Sequence, residues 1–255
     1  MRGARLGQHF LIHSWAARTL AHAVEPREGE VIVEVGPGKG VLTRELLTLG
    51  KVIAIEKDEA LVALLNETFA EEIASGKLTI VSGDIRNVTP ESLGISDYIV
   101  AANIPYYITG EIIRQFLTAR VKPRAMALLI QKEVAQRITG SKESILSLSV
   151  KAFGMPKIVA KVSKTHFSPP PSVDSAILSV TDISGAFFDR IEEEQFFTVV
   201  RAGFASKRKF VANNLAVAFD KEKVIAAMAA CGIPEKARAE DIKLPQWKEL
   251  TKMLF

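Results

Sequence analysis

The sequence predicts an α/β fold, a mostly parallel sheet wound with helices, followed by a small all-helical domain. Three observations carry this. Short apolar runs alternate with helix-period stretches through roughly the first 180 residues. A glycine-rich turn joins the first run to the first helix, as in ligand-binding α/β sheets. From about residue 190 onward only the helical period remains.

The apolar runs are "EVIVEV" (30–35), "KVIAIE" (51–56), "LTIVSG" (78–83), "YIVAAN" (98–103) and "AMALLI" (125–130). Each reads as a buried strand, and strands that alternate with helices make a parallel sheet covered on both faces. Val41, Leu42, Leu46 and Leu49 define one intervening helix. Asp58 caps a second, over Ala60, Leu61, Leu64 and Leu65, and Thr109 opens a third with Ile112, Ile113, Phe116 and Leu117. Two later runs, "KIVAKV" (157–162) and "SAILSV" (175–180), flank "SKTHFSPPPSVD" with no helix between them. They predict an antiparallel pair at one sheet edge. A boundary near residue 184 then separates domain 1–184 from a helical domain 185–255, which ends in "PQWKELTKMLF" with proline in its first turn.

Charge and cysteine content bound the function. The formal net charge is +4, a mild excess that argues for a polyanionic partner only through placement. Residues 1–24 carry Arg2, Arg5 and Arg18 and no acid, a composition shared with transit peptides. No run of about 18 apolar residues exists, so a membrane-spanning helix is not expected. The single Cys231 excludes an internal disulfide and fits a reducing cytoplasm. His9 and His13 have the spacing of a helical metal pair, but no cluster completes a site, and no metal is expected.

The chemistry-bearing residues sit at strand ends. "EVGPGKG" (34–40) spaces Gly36, Gly38 and Gly40 as G-x-G-x-G, and no G-K-[ST] follows, which excludes a phosphate-binding P-loop. Glu56 ends the second strand, where a carboxylate can accept ribose hydroxyls. Asp84, in "SGDI" (82–85), can accept an adenine amine, with Ile85 covering the ring. Together they describe a pocket for an adenine nucleoside, either a nicotinamide dinucleotide or S-adenosyl-L-methionine. The glycine spacing leans to the second.

"NIPY" (103–106) decides between them. Pro105 stiffens the turn and Tyr106 offers a flat face. The Asn103 side-chain oxygen and the Ile104 carbonyl can accept from both N–H groups of a planar amine. That localises its lone pair for attack on a sulfonium methyl, a task of positioning and electrostatics rather than of strong base. Such a base leaves its stack, with Tyr106 on one face and Phe167 as the candidate for the other.

The chain resembles the ribosomal RNA small-subunit adenine N6,N6-dimethyltransferases, the KsgA type. The resemblance rests on "LGQHFL" (6–11), "EVGPGKG", Glu56, "GDI" (83–85), "NIPY", "LLIQKEVAQRI" (128–138), "FSPPPSVDSA" (167–176) and the helical tail. It implies a Rossmann-like class I methyltransferase domain with a seven-stranded sheet, and S-adenosyl-L-methionine as the methyl donor. It also implies that His9 and Leu11 line the donor site, so that loss of the N-terminal segment would remove part of the pocket. The implied reaction is double methylation of N6 on each of two adjacent adenines near the 3′ end of small-subunit RNA. The implied substrate is an assembling subunit in the cytoplasm, and the expected state is a monomer with no membrane partner. His9 departs from the usual asparagine, "ESILSLSV" (143–150) replaces a tyrosine–glycine pair, and Lys207 replaces an arginine in "FASKRKF" (204–210). Lys207, Arg208 and Lys209 remain a basic cluster for phosphate, although lysine lacks arginine's two-pronged geometry. Two alternatives stand beside this reading: a macrolide-resistance methyltransferase of large-subunit RNA, and a non-catalytic assembly or transcription factor.

Overall fold

A computed structural model describes residues 9–255. The described residues open with β1 (Phe10–Leu11) and α1 (Ser14–Ala21). Then β2 (Val31–Val35), α2 (Val41–Leu46), β3 (Val52–Glu56), α3 (Glu59–Thr68), α4 (Ala70–Ala74) and β4 (Leu78–Ser82) alternate. β5 (Tyr98–Asn103), α5 (Thr109–Thr118), β6 (Ala125–Gln131), α6 (Lys132–Thr139) and α7 (Ile145–Phe153) follow. β7 (Met155–Val162), β8 (Phe167–Ser168) and β9 (Ser175–Thr181) precede the tail of α8 (Glu193–Gly203), α9 (Val211–Leu215), α10 (Lys221–Ala230) and α11 (Leu244–Leu254).

Seven strands form one sheet in the order β4-β3-β2-β5-β6-β9-β7. The first five pair in parallel, and β9 pairs antiparallel with both β6 and β7. β3 and β6 are buried almost throughout because helices cover both faces, which is why they read as continuous apolar runs. β7 is the edge strand, and it exposes Lys157, Val159 and Lys161 at alternate positions. Charged residues on such an edge discourage pairing with another chain. Asp58 caps α3 as expected, accepting from the Ala60 and Leu61 N–H groups. A two-stranded pair, β1 with β8, joins Phe10–Leu11 to Phe167–Ser168.

The chain divides into two compact units. One runs to Gln136 and includes Gly154–Ile183; the other comprises Arg137–Phe153 and Ser184–Phe255. Residues 137–153, placed by sequence in the first domain, therefore belong to the second unit. The reason is apolar: Leu148 and Ala152 of α7 share a buried cluster with Phe196, Val200, Leu250 and Trp247. Phe153 adds a ring contact of 4.9 Å to Phe188. The stretch 143–150, which departs from the family's tyrosine–glycine pair, contributes Leu148 to this core. The first unit buries its own cluster, in which Leu20, Ile32, Leu46, Leu65 and Ile99 are almost fully enclosed.

Candidate active site

A cavity of about 500 Å³ opens beyond the carboxyl ends of the parallel strands. That volume is ordinary for a small-molecule site, which spans about 300–1,000 Å³. Its walls come from the loops after β2, β3, β4 and β5, closed on one side by His9, Phe10 and Leu11.

The first loop explains its glycines. Gly36, Gly38 and Gly40 have φ of +68°, +58° and +80°, in the region L side chains rarely adopt. A Cβ on Gly38 would stand 3.0 Å from the Phe10 ring, and one on Gly40 would run into the Phe69 ring. A Cβ on Gly36 would meet nothing within 4 Å, so there the backbone faces open space. Gly36 is where a ligand can lie against the main chain.

Glu56 is buried and anchors the loop. Its Oε2 accepts the Gly38 N–H at 3.1 Å. Its Oε1 accepts the N–H groups of Lys57 at 2.9 Å and Asp58 at 3.0 Å. A carboxylate has about four acceptor directions, so about one remains for a ligand hydroxyl. The expectation that Glu56 takes two hydroxyls is reduced to one unshared bond.

Asp84 is more heavily committed. Oδ1 accepts from the Arg86 backbone N–H at 3.1 Å and from Arg86 Nε at 3.0 Å. Oδ2 accepts from Arg86 at 2.6 Å and from Lys57 Nζ at 2.8 Å. The Arg86 guanidinium, then Lys57, hold this carboxyl well below the usual carboxylate range. An adenine amine reaches Asp84 only if one cation yields. Lys57 is the one to move, because its side chain is 68% exposed and such pairs are weak. Ile85 lies beside it, buried, on the pocket wall.

Asn103 ends β5 and lines the same cavity. Its Nδ2 donates to the His9 carbonyl at 3.2 Å, which leaves Oδ1 as an acceptor. His9 is itself held, its Nδ1 2.8 Å from the Pro169 carbonyl oxygen. Ile104 is buried, and its N–H donates to the Leu129 carbonyl at 3.3 Å. Pro105 has φ −55° and starts a short 3-10 turn. The Tyr106 hydroxyl shares a 2.7 Å hydrogen bond with Ser175, and burial raises its pKa. Its ring lies 5.9 Å from that of His9.

The sequence-predicted residues His9, Leu11, Gly36, Gly38, Glu56 and Asp84 thus meet in one cavity with Ile85 and the whole Asn103–Tyr106 turn. Phe167 lines it too, but is 3% exposed and belongs to the first unit's core, so it borders the pocket as a fixed wall. Lys207, Arg208 and Lys209 do not line it; they occupy an exposed turn between α8 and α9 in the second unit.

Sequence reasoning missed four contributors: Phe10, Lys57, Arg86 and Tyr107. Phe10 packs under Lys39, whose Nζ is 5.2 Å from the ring centroid. Lys57 and Arg86 control Asp84 as described. Tyr107, 70% exposed, stands at the cavity wall beside Tyr106. Only the doubled tyrosine in "NIPYYIT" signalled that last one.

Comparison with known proteins agrees with this geometry. The profile described as ribosomal RNA adenine dimethylase matches residues 3–254. A protein of Dehalococcoides mccartyi named ribosomal RNA small subunit methyltransferase A is 40% identical over 252 residues, covering 96% of this chain and 86% of that one. A Moorella thermoacetica protein of the same name is 36% identical, covering 97% and 91%. Among solved structures, a dimethyladenosine transferase from Plasmodium falciparum superposes with a TM-score of 0.80 at 25% identity, covering 95% of this chain and 96% of that one. The 23S rRNA methyltransferase ErmE gives 0.76 at 25% identity, covering 96% and 99%.

Proposed function

Because the chain belongs to the ribosomal RNA adenine dimethylase family and is an S-adenosylmethionine-dependent rRNA adenine dimethyltransferase, we propose that it methylates N6 of two adjacent adenines near the 3′ end of small-subunit RNA. The observation that carries the site assignment is the Asn103 amide at the cavity wall, whose Nδ2 is held on the His9 carbonyl and whose Oδ1 is left as an acceptor.

The cavity suits the methyl donor on two counts. Gly36 leaves bare backbone open to a ligand. Glu56 keeps one acceptor direction for a ribose hydroxyl. When bound, S-adenosylmethionine supplies an electrophilic methyl on a positively charged sulfur.

The protein's part is to hold the nucleophile. Asn103 Oδ1 and the Ile104 carbonyl accept the two amine hydrogens of the flipped adenine and draw its lone pair out of the ring. Tyr106 supports the base face. Its hydroxyl bond to Ser175 fixes the ring and removes the cost of ordering it on binding. His9, Phe10 and Leu11 exclude water from one side. No strong base is required, since the amine becomes acidic once alkylated and its proton leaves to water.

Lys207, Arg208 and Lys209 are assigned to phosphate contact, and the substrate to an assembling small subunit. The enzyme acts as a cytoplasmic monomer without a membrane partner. No helix among the described residues is long and apolar enough to cross a membrane. The small-subunit reading is preferred to the large-subunit one because the 40%-identical relative bears the small-subunit name, whereas the 23S enzyme shares 25%.

The test is to mix the protein, methyl-labelled S-adenosylmethionine and unmethylated small subunits, then digest the RNA to nucleosides. Labelled N6,N6-dimethyladenosine from two adjacent positions is expected. Small-subunit RNA that takes up no label, or takes it up only at other positions, overturns the proposal.

A further inference from the structure

Ile12 and Trp15 are 55% and 47% exposed, unusual for side chains of this size. They do not stand singly. His13 stacks on His166 with ring centroids 4.1 Å apart and planes inclined by 21°. Trp15 meets both rings edge-on, at 6.0 Å from His166 and 6.4 Å from His13. The Ile12 N–H donates to the His166 carbonyl at 2.9 Å, fixing the two segments together. The result is a preassembled aromatic surface.

Its surroundings are basic. α1 carries Arg18, whose Nε pairs with Glu45 at 3.3 Å while its side chain stays 67% exposed, and the turn 164–166 contributes Lys164. Asp174, the acid hydrogen-bonded to this turn, accepts the Lys164 N–H and lies 3.9 Å from Lys132 Nζ. The surface also continues the pocket wall on both segments. Ile12 follows Leu11 and His166 precedes Phe167, and both Leu11 and Phe167 line the cavity.

We propose that His13, Trp15 and His166, with Ile12, form a stacking platform for an unpaired nucleotide of the substrate RNA that flanks the flipped adenine. Aromatic faces accept any base, so the platform orders the strand without reading its sequence, while Arg18 and Lys164 favour its phosphates. This rests on the RNA methyltransferase reading above and extends it to a surface outside the pocket.

The experiment titrates the full chain with naked small-subunit RNA and, separately, with unmethylated small subunits. The native protein is compared with Trp15→Ala and Trp15→Phe. Trp15→Ala is expected to weaken RNA binding about tenfold, with S-adenosylmethionine affinity and thermal unfolding unchanged. Trp15→Phe, which keeps a flat face, is expected to recover most of the loss. Trp247, the other tryptophan, is fully buried, so fluorescence quenching by RNA is expected in the native protein and not in Trp15→Phe. RNA affinity unchanged by Trp15→Ala overturns the platform. So does a loss seen with subunits but not with naked RNA, which marks a protein contact instead. Methyl transfer by the native protein is measured in parallel. Intact RNA binding without methylation defeats the proposed function and not the platform.

Discussion

Glu34 is a buried carboxyl without a hydrogen-bond partner. It is 1% exposed, and neither of its oxygens finds a donor of good geometry, although the Thr43 hydroxyl is close enough to lower its pKa somewhat. Burial, reinforced by the Glu56 charge, raises its pKa to about 8. The unfolded carboxyl ionises above its ordinary value of 4.5, while the folded one stays protonated to about 8. The native state therefore holds the extra proton, and stability falls as pH rises across that window. Glu34→Gln should abolish the fall. Urea midpoints at pH 5 and pH 8 are expected to differ by less in the variant, with an upper bound of roughly 5 kcal/mol on the effect. Asn103→Ala belongs to the same scale. Removing one preorganised acceptor is expected to lower kcat by about 100–1,000-fold. Calorimetry should show a much smaller loss of donor affinity, since Asn103 also braces His9. At this scale the sequence was most legible at the strand ends, where Glu56 and Asn103 both reach the cavity wall as expected. It was least legible where partners compete. Nothing in the order of residues says that Arg86 and Lys57 would saturate Asp84.

The parallel strands were readable because burial on both faces leaves an uninterrupted apolar run, and the cap at Asp58 because a side chain bonds its own neighbours. β1 and β8 were not. Two residues are too few for any period to register, and their pairing spans more than 150 positions of the chain. The glycine turn was legible as a motif, but its three members proved to have different duties. Gly36 faces open space, whereas Gly40 is packed against Phe69. Gly40→Ala combines a forbidden φ with a steric clash, and is expected to cost at least about 2 kcal/mol, read as a lowered urea midpoint. Gly203→Ala tests the second unit in the same way, because the added methyl would enter the Trp247 ring. A loss of about 1–3 kcal/mol is expected from overpacking, measured by the same denaturation.

For the whole molecule, the net charge of +4 is too small to hold a nucleic acid by itself, so the placement of cations matters. Replacing Lys207, Arg208 and Lys209 by glutamine is expected to flatten the salt dependence of RNA binding. The slope should change by about 0.7–0.9 for each phosphate that is no longer neutralised. An unaltered slope removes these three from the interface. The division into two units was only partly legible. A composition shift marks the helical tail, but α7 looks in sequence like one more helix of the sheet domain. Its allegiance is settled by Phe196, Trp247 and Leu250, which lie far along the chain.

That allegiance bears on how the protein is made. As the chain emerges from the peptide exit tunnel, α7 appears well before the residues that will bury it. Leu148, Ala152 and Phe153 must wait, greasy and uncovered, until Trp247, far along the chain, has been added. A nascent chain stalled after residue 184 is thus a natural client for a chaperone, and the same fragment expressed alone should clump where the 255-residue chain stays in solution.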